Sequence, residues 1–217
     1  MNDRATPRVV ERAVDAGRSP APMKLTTRPL TPERWPDLEA VFNAKGCSVA
    51  RGCWCMYYRV SGSGWEAPAN GSTRAQAHRA AFRAVVDSAA EPPGLIGYHG
   101  KVPVGWVAFG PREDYPKLQR SPVMKPVDDR PVWSITCFVV PSIYRGQGVA
   151  SALLAAAVAY AGRRGVQLLE GYPVDKAERS SDDSMWFGSK SMFDAAGFEE
   201  VARRKPTRPI VRIRPLP

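Results

Sequence analysis

Residues 132–161 read VWSITCFVVPSIYRGQGVASALLAAAVAYA. From Val132 to Val140 nearly every residue is apolar or β-branched, which predicts a strand that is buried on both faces. Pro141 ends this strand, and an Ala-rich segment without charge follows from Val149 to Gly162. Because its larger apolar residues recur on one helical face, this segment predicts a helix that packs on the sheet.

The turn between this strand and this helix has the composition of an anion-binding loop. The first turn of a helix leaves amide N–H groups without internal partners and carries the positive end of the helix dipole. Gly146 and Gly148 allow an anion to approach the backbone closely, and Arg145 adds a cation. A pyrophosphate group is the ligand that this arrangement favours.

The loop does not match two familiar phosphate-binding patterns. A nucleotide-triphosphate loop requires G-x-x-x-x-G-K-[ST], and a dinucleotide loop requires a third glycine that is absent here. The sequence instead contains R-x-x-G-x-A, at Arg145, Gly148 and Ala150, directly after a Val-Pro strand end. In this context the pattern closely resembles motif A of the GNAT superfamily of acyl-CoA-dependent N-acetyltransferases.

The resemblance implies a GNAT fold, of the α/β (α+β) class. In this fold a mixed, mostly antiparallel twisted sheet of six to seven strands contains one splayed parallel pair, and about four helices flank the sheet. The resemblance also implies acetyl-CoA as the acyl donor, without a metal. The residues that it implies for coenzyme binding are Phe138, Val139, Val140, Arg145, Gly146, Gln147, Gly148, Val149 and Ala150.

Length and composition are consistent with one α/β unit. The chain has 217 residues, and we expect a flexible extension at 1–22 followed by one acetyltransferase domain at 23–217. It has no apolar run of the ~18 residues that would span a membrane and no N-terminal signal pattern, so we expect a cytoplasmic protein without a membrane partner. The oligomeric state is left open, with a homodimer as one candidate.

Charge and cysteine content exclude some other classes. The net charge is +10, with six cations and no acid after Glu200, and we expect a solvated basic tail rather than a nucleic-acid surface. The four cysteines are too few and too unevenly spaced for a disulfide framework, and C-x-C at Cys53 and Cys55 lacks the spacing of structural zinc sites. Reduced or buried thiols are the interpretation that we favour.

Aromatic residues are the candidates for the acceptor site. The segment 46–71 is irregular and aromatic, and in the family the corresponding region covers the acceptor. Trp106 belongs to a hairpin strand that matches the family's third strand, which faces the acceptor. Trp54, Tyr57 and Trp106 are therefore the predicted substrate-binding residues, although the same rings could equally cap a core. Residues 112–130 are a second candidate acceptor loop, or a solvated connection.

The general acid and base are less clear. Many relatives use a tyrosine four residues before the Gly-Phe that follows the last helix, and Phe193 stands at that position here. A phenyl ring has no proton to give, so the candidate substitutes are the hydroxyl groups of Tyr172, Ser189 and Ser191, or a water molecule. Glu170, at the end of the splayed strand, is the candidate base, or else an exposed strand-end carboxylate. The predicted catalytic set is Glu170, Tyr172 and Ser191.

The resemblance implies transfer of an acetyl group to a primary amine of a small molecule, by direct attack in a ternary complex. The acceptor could be an amino acid, an antibiotic amine or a polyamine. The alternative function is a non-catalytic GNAT-like domain that senses acyl-CoA, because Phe193 removes the usual acid.

Overall fold

The computed structural model of the protein describes residues 23–62, 71–176 and 185–217. Seven strands form one sheet in the order β1-β2-β3-β4-β5-β7-β6. Neighbouring strands are antiparallel, except that β4 and β5 are parallel. This confirms the expected mixed, mostly antiparallel sheet. The strands are β1 (Thr26–Pro29), β2 (Gly94–His99), β3 (Val102–Pro111), β4 (Trp133–Val139), β5 (Leu169–Gly171), β6 (Glu199–Lys205) and β7 (Arg208–Ile213).

Six α-helices occur in the described ranges, against the expected number of about four. They are α1 (Trp35–Asn43), α2 (Ser48–Cys53), α3 (Arg74–Ser88), α4 (Pro116–Gln119), α5 (Val149–Arg163) and α6 (Lys190–Ala195). The sequence did not predict α2 and α4, because helices of six and four residues show too little apolar periodicity. The start of α3 is fixed by a capping box, in which the side chains of Thr73 and Gln76 each accept a hydrogen bond from the other's backbone N–H.

The two faces of the sheet carry separate cores. On one face α5 buries Leu153 and Ala157 against the sheet. A Cβ at Gly105 of β3 would come within 2.9 Å of Val149 Cγ1, so this glycine allows the close approach of α5. On the other face α1 and α3 cover Trp106, whose side chain is fully buried. Because helices cover both faces of the sheet, the ends of the central strands are where a binding site can form.

The parallel pair separates after three residue positions, as expected for the splayed strands. Trp133, Ser134 and Ile135 of β4 lie opposite residues 169–171 of β5. The pairing of β4 with β3 then contains a bulge at Thr136. Beyond the bulge, the amide of Phe138 donates to the carbonyl of Trp186, 2.6 Å away, rather than to β5.

Two sequence-based expectations need a correction, and a third concerns residues that the structure does not describe. The segment 112–130 is not simply a solvated loop, since Arg112, Tyr115 and Leu118 are buried. The basic C-terminus forms strands β6 and β7; the cations of β6 are exposed to solvent as expected, whereas Arg212 of β7 is buried and ion-paired. The expected extension at 1–22 lies outside the described residues. Within the described ranges, every helix is too short or too polar to cross a membrane.

Candidate functional site

A cleft of about 910 Å³ opens where β4 leaves β5. This volume is in the range of sites that bind a small molecule or a cofactor. Three segments form most of its wall: the end of β4 at 136–140, the loop and first turn of α5 at 144–151, and the region around α2 at 46–58. Met185, Trp186 and Gly188 complete the side next to the splayed strands.

The first turn of α5 faces this cleft with its backbone. Gly146 and Gly148 have φ angles of 72° and 77°, in the left-handed region that favours glycine. Gly148 is the N-cap of α5 and has no side chain with which to cap the helix. Because the first amides of a helix lack intrahelical partners and carry the positive end of its dipole, the wall at Val149 and Ala150 suits an anion.

Eight of the nine residues expected to bind the coenzyme line the cleft. They are Phe138, Val139, Val140, Arg145, Gly146, Gly148, Val149 and Ala150. Gln147 is the exception: its side-chain amide donates to the carbonyl of Ile143 at 2.7 Å, and its own carbonyl accepts from the amide of Met23 at 3.0 Å. Gln147 therefore holds the loop in place from the side that faces away from the cleft.

Arg145 connects two walls of the cleft. Its Nε donates to the carbonyl of Val140 at 3.0 Å, and its Nη2 donates to the carbonyl of Gly46 at 2.6 Å. A Cβ at Gly46 would lie 2.8 Å from that of Ser142, so the two loops pack closely here. The guanidinium thus fixes the strand end against the segment before α2 and keeps its positive charge beside the anion-binding loop.

Only some of the backbone N–H and C=O groups at the end of β4 point toward the cleft and could bind a ligand there. Since alternate residues of a strand direct their N–H and C=O groups to the same edge, Phe138 and Val140 face the cleft and Val139 faces β3. Trp186 already accepts from the amide of Phe138. The carbonyl of Phe138 and the amide of Val140 are therefore the groups of this edge that point toward the cleft.

Of the three aromatic residues expected to bind the acceptor, only Tyr57 lines the cleft. Its side chain is 41% exposed, and Lys117 Nζ lies 3.9 Å from the centre of its ring. Trp54 is buried and stacks on Trp35, with ring centres 5.6 Å apart. Trp106 is also buried, and its Nε1 donates to Cys55 Sγ at 3.3 Å. The two tryptophans therefore belong to the core, which was the alternative interpretation of these rings.

Tyr58 and Cys55 also line the cleft, although neither was among the residues expected to bind the coenzyme or the acceptor. The Tyr58 ring packs edge-on against Tyr57, with ring centres 4.8 Å apart, and at 5.6 Å from Phe187. Burial is the largest cause that raises the pKa of Tyr58, so its phenol stays protonated at neutral pH. Tyr58 lies in no periodic pattern, and the C-x-C spacing that contains Cys55 does not indicate a position in the cleft.

A smaller cavity of about 300 Å³ adjoins the cleft and shares Tyr57 and Tyr58 with it. Lys117, Arg120 and Ser121 contribute to its wall. Its described lining contains no aspartate or glutamate. The electrostatic character of this cavity therefore favours a ligand with a negative group.

Glu170 and Tyr172 do not line the cleft. Both side chains are fully buried on the sheet. Arg112 donates to both of them, Arg212 Nε donates to Glu170 Oε2 at 2.8 Å, and Tyr172 donates its hydroxyl proton to Glu170 Oε1 at 2.6 Å. Ser134, Glu170 and Arg212 lie opposite one another on three neighbouring strands. The strand-end position suggested exposure, but this register buries the carboxylate in an ion network.

Ser191 and Phe193 also lie outside the cleft lining. Ser191 is exposed on α6, with its Oγ 3.0 Å from that of Ser189. Phe193 is fully buried, with its ring edge-on to Phe138 and Phe198 at 6.3 and 4.9 Å between centres. Of the three expected catalytic residues, the structure therefore brings Glu170 and Tyr172 together, but it brings none of the three to the cleft.

Several solved structures resemble this fold. A protein of Pyrococcus horikoshii OT3 superimposes with a TM-score of 0.50 and 15% identity, covering 88% of this chain and 98% of that one. At this identity the likeness concerns the fold alone. An N-acetyltransferase from Staphylococcus aureus Mu50 has a TM-score of 0.49 at 15% identity, covering 88% and 98% of the two chains. The PaiA N-acetyltransferase of Thermoplasma acidophilum, solved with coenzyme A, has a TM-score of 0.47 at 13% identity and covers 88% and 99%.

No curated protein sequence matches the chain. The model of the Acetyltransferase (GNAT) family does match, over residues 60–179, which is more than half of the 217 residues. The matched range includes the end of β4, the glycine loop and all of α5. With the sheet topology and the loop geometry described above, this match shows that the chain belongs to the GNAT acetyltransferase family.

Proposed function

We propose that this protein transfers the acetyl group of acetyl-CoA to a primary amine of a small molecule, by direct attack in a ternary complex. One observation carries the proposal: the uncapped first turn of α5, with its two glycines at positive φ, opens into the cleft where β4 parts from β5. The domain that performs this reaction would span residues 23–217. The expectation of a cytoplasmic location stays a prediction.

The cleft has groups that suit both the charged pyrophosphate and the less polar arm of coenzyme A. The amides of Gly148, Val149 and Ala150 and the cation of Arg145 suit a pyrophosphate. From there the wall passes along Phe138 to Val140, where strand-edge groups suit an amide-containing arm. The lining of the cleft in the described ranges is mostly apolar, has no carboxylate and includes the cation of Arg145, which suits a polyanionic coenzyme.

Acyl transfer to an amine needs a donor for the developing oxyanion and a donor for the departing thiolate. Bound acetyl-CoA would supply the activated carbonyl. The amide of Val140, directed to the cleft edge, would stabilise the oxyanion. The carbonyl oxygen of Phe138 lies on the same edge and would orient the arm of the coenzyme.

Tyr58 would supply the proton donor that Phe193 lacks. Gly188 of the cleft wall lies close to Phe193: a Cβ placed on it would be 3.3 Å from Phe193 Cε2 and 3.5 Å from Phe138 Cε2. Tyr58 packs on the adjacent Phe187 and lines the same cleft. A neutral, partly buried phenol donates a hydrogen bond to a thiolate without first losing its own proton.

Replacing Tyr58 with phenylalanine should lower kcat by about tenfold or more, because one proton donor in the transition state is lost. The KM for acetyl-CoA should change little, since the ring and its packing remain. Steady-state kinetics of thiol release would measure both constants. Tyr57→Phe is the matched control, and it should retain most of the activity. Equal kcat values for Tyr58→Phe and the unmodified protein would contradict the role of Tyr58.

The adjoining cavity indicates which small amines to test first. Lys117 and Arg120 contribute positive charge to its wall. An acceptor with a carboxylate near its amine, such as an amino acid, would be attracted there, whereas a polyamine would be repelled. Among the acceptors considered, amino acids are therefore the class that this charge favours.

The function is tested by calorimetric titration with acetyl-CoA, followed by thiol release with amino acids, aminoglycosides and polyamines. We expect saturable binding of acetyl-CoA and acceptor-dependent release of coenzyme A. Binding without release above background for the whole panel would favour the acyl-CoA sensor instead. Intact-mass spectrometry after incubation with acetyl-CoA alone should show no added acetyl group, because direct attack forms no acyl-enzyme.

A further inference from the structure

All four cysteines of the chain line the cleft. They are Cys47, Cys53, Cys55 and Cys137, and all four are free thiols. Three of them come from the region around α2, and Cys137 comes from β4. The described residues contain no set of three side chains arranged to hold a metal ion. The direct-attack mechanism does not use these thiols, so their convergence in one cleft needs another explanation.

The sulfur of Cys55 is surrounded by groups that stabilise a thiolate. Trp106 Nε1 donates to it at 3.3 Å, and the cation of Arg59 is nearby. Cys137 packs against the core cluster that contains Cys55 and Trp106, and its thiol donates to the carbonyl oxygen of Phe138 at 3.8 Å. The neighbouring thiol of Cys137 is the largest cause that lowers the pKa of Cys55, and it acts with Trp106 and Arg59 against the effect of burial. Cys55 is 9% exposed and lines the cleft, so small reagents can reach it.

Cys137 is the neutral partner in this contact. The neighbouring Cys55 is the largest cause that raises the pKa of Cys137, followed by burial. If Cys55 loses its negative charge, the pKa of Cys137 therefore falls and Cys137 becomes a better nucleophile.

The backbone at Cys55 is held in an uncommon conformation. Trp54 and Cys55 have φ angles of 48° and 53°, so two consecutive residues other than glycine are left-handed. This costs about 1–2 kcal/mol for each residue. Stacking of Trp54 between the rings of Trp35 and Phe42, 5.6 and 5.0 Å from its centre, holds the turn. The strain brings the sulfur of Cys55 to the cleft wall beside Cys137.

We propose that Cys55 and Cys137, here called the thiol pair, form a reversible disulfide when the protein meets a peroxide. The Cys55 thiolate attacks one peroxide oxygen, the O–O bond breaks and hydroxide leaves, so that Cys55 becomes a sulfenic acid. Cys137 then loses its proton, and its sulfur attacks the Cys55 sulfur and displaces a second hydroxide. Both hydroxides take up protons, so two thiols are oxidised while one peroxide is reduced to two waters. A dithiol reductant reverses the reaction by exchange.

The disulfide would also change the site, and this part rests on the proposed function. A disulfide brings its sulfur atoms to about 2 Å, closer than a hydrogen-bonded contact. Cys137 precedes Phe138, whose backbone would hold the coenzyme arm. The disulfide would therefore pull this part of β4 toward the turn at Cys55, and acetyl transfer should fall by at least about tenfold.

The test is treatment of the full-length protein with hydrogen peroxide, followed by intact-mass and peptide analysis. We expect the loss of two hydrogen masses and of two of the four thiols, both restored by dithiothreitol. Trypsin cleaves after Arg51 and Arg59, so residues 52–59 carry both Cys53 and Cys55. The disulfide should join this peptide to the one that contains Cys137, and it should do so in a Cys53→Ser variant as well.

Matched variants make the result decisive. Cys55→Ser and Cys137→Ser should each prevent the disulfide, whereas Cys47→Ser should not, because burial raises the pKa of Cys47 and the thiol pair is intact in that variant. Four unchanged thiols, or a bond between Cys53 and Cys55, would overturn the proposal. If the disulfide forms but the reduced protein transfers no acetyl group, the proposed function fails and the thiol pair stands. If the reduced protein transfers acetyl groups but forms no disulfide, the proposal for the thiol pair fails and the proposed function stands.

Discussion

Replacement of Glu170 by glutamine should lower the free energy of unfolding by about 3–5 kcal/mol. The carboxylate is fully buried and is ion-paired with Arg112 and Arg212. Glutamine keeps the size of the side chain but removes its charge. The two buried guanidinium groups would then have only one carboxylate partner among these residues, the half-buried Asp128, which pairs with Arg212 at 2.7 Å. An uncompensated buried cation is unfavourable because the protein interior solvates it poorly. Urea denaturation would measure the change in the free energy of unfolding. Thermal unfolding should show a fall in Tm of about 10 °C in a chain of this size.

The control is Glu200→Gln. Glu200 is partly exposed and pairs with Arg203 at 2.6 Å on β6, so its loss should change stability by no more than about 1 kcal/mol. Kinetics separate a structural from a catalytic role for Glu170. A variant that keeps its full stability but loses most of its kcat would show that Glu170 acts as the base, and it would contradict the structural role that the ion network indicates.

The sequence was most informative where function depends on the backbone. The apolar run before Pro141 and the uncharged run after Gly148 predict the central strand and helix of the site. The two glycines between them predict the loop, because few other residues adopt a positive φ without strain. The structure has this arrangement, and it places eight of the nine expected coenzyme residues in the cleft wall.

The positions that the sequence did not reveal depend on contacts between distant segments. Glu170 looks like an exposed strand end until the register places it beside Arg212, which is 42 residues away. In the sequence Cys55 is one half of a C-x-C pair, and only the folded turn at Trp54 brings it near Cys137 of β4. No local periodicity encodes such contacts, because they arise only from the packing of the sheet and the stacking of the aromatic rings.

Replacement of Gly148 by aspartate should weaken the binding of acetyl-CoA by about a hundredfold or more while the protein stays folded. Aspartate is one of the few residues that tolerate the left-handed region, so the φ of 77° at this position should be retained. Its carboxylate would accept hydrogen bonds from the first amides of α5, as N-cap residues do, and would therefore occupy the place proposed for the pyrophosphate. Two like charges at about 4 Å also repel each other by roughly 4 kcal/mol near a protein surface.

Gly148→Asn separates charge from geometry. Asparagine also tolerates a positive φ and caps a helix but carries no charge, so it should weaken binding less than aspartate does. Gly165 has a φ of 70° just after the other end of α5 and has open space around it, so Gly165→Asp is the matched control and should leave the affinity unchanged. Calorimetric titration with acetyl-CoA would measure all three variants, with circular dichroism to verify the fold. Unchanged affinity in a folded Gly148→Asp variant would mean that the coenzyme does not bind at the start of α5, and the proposed function would then lose the observation that carries it.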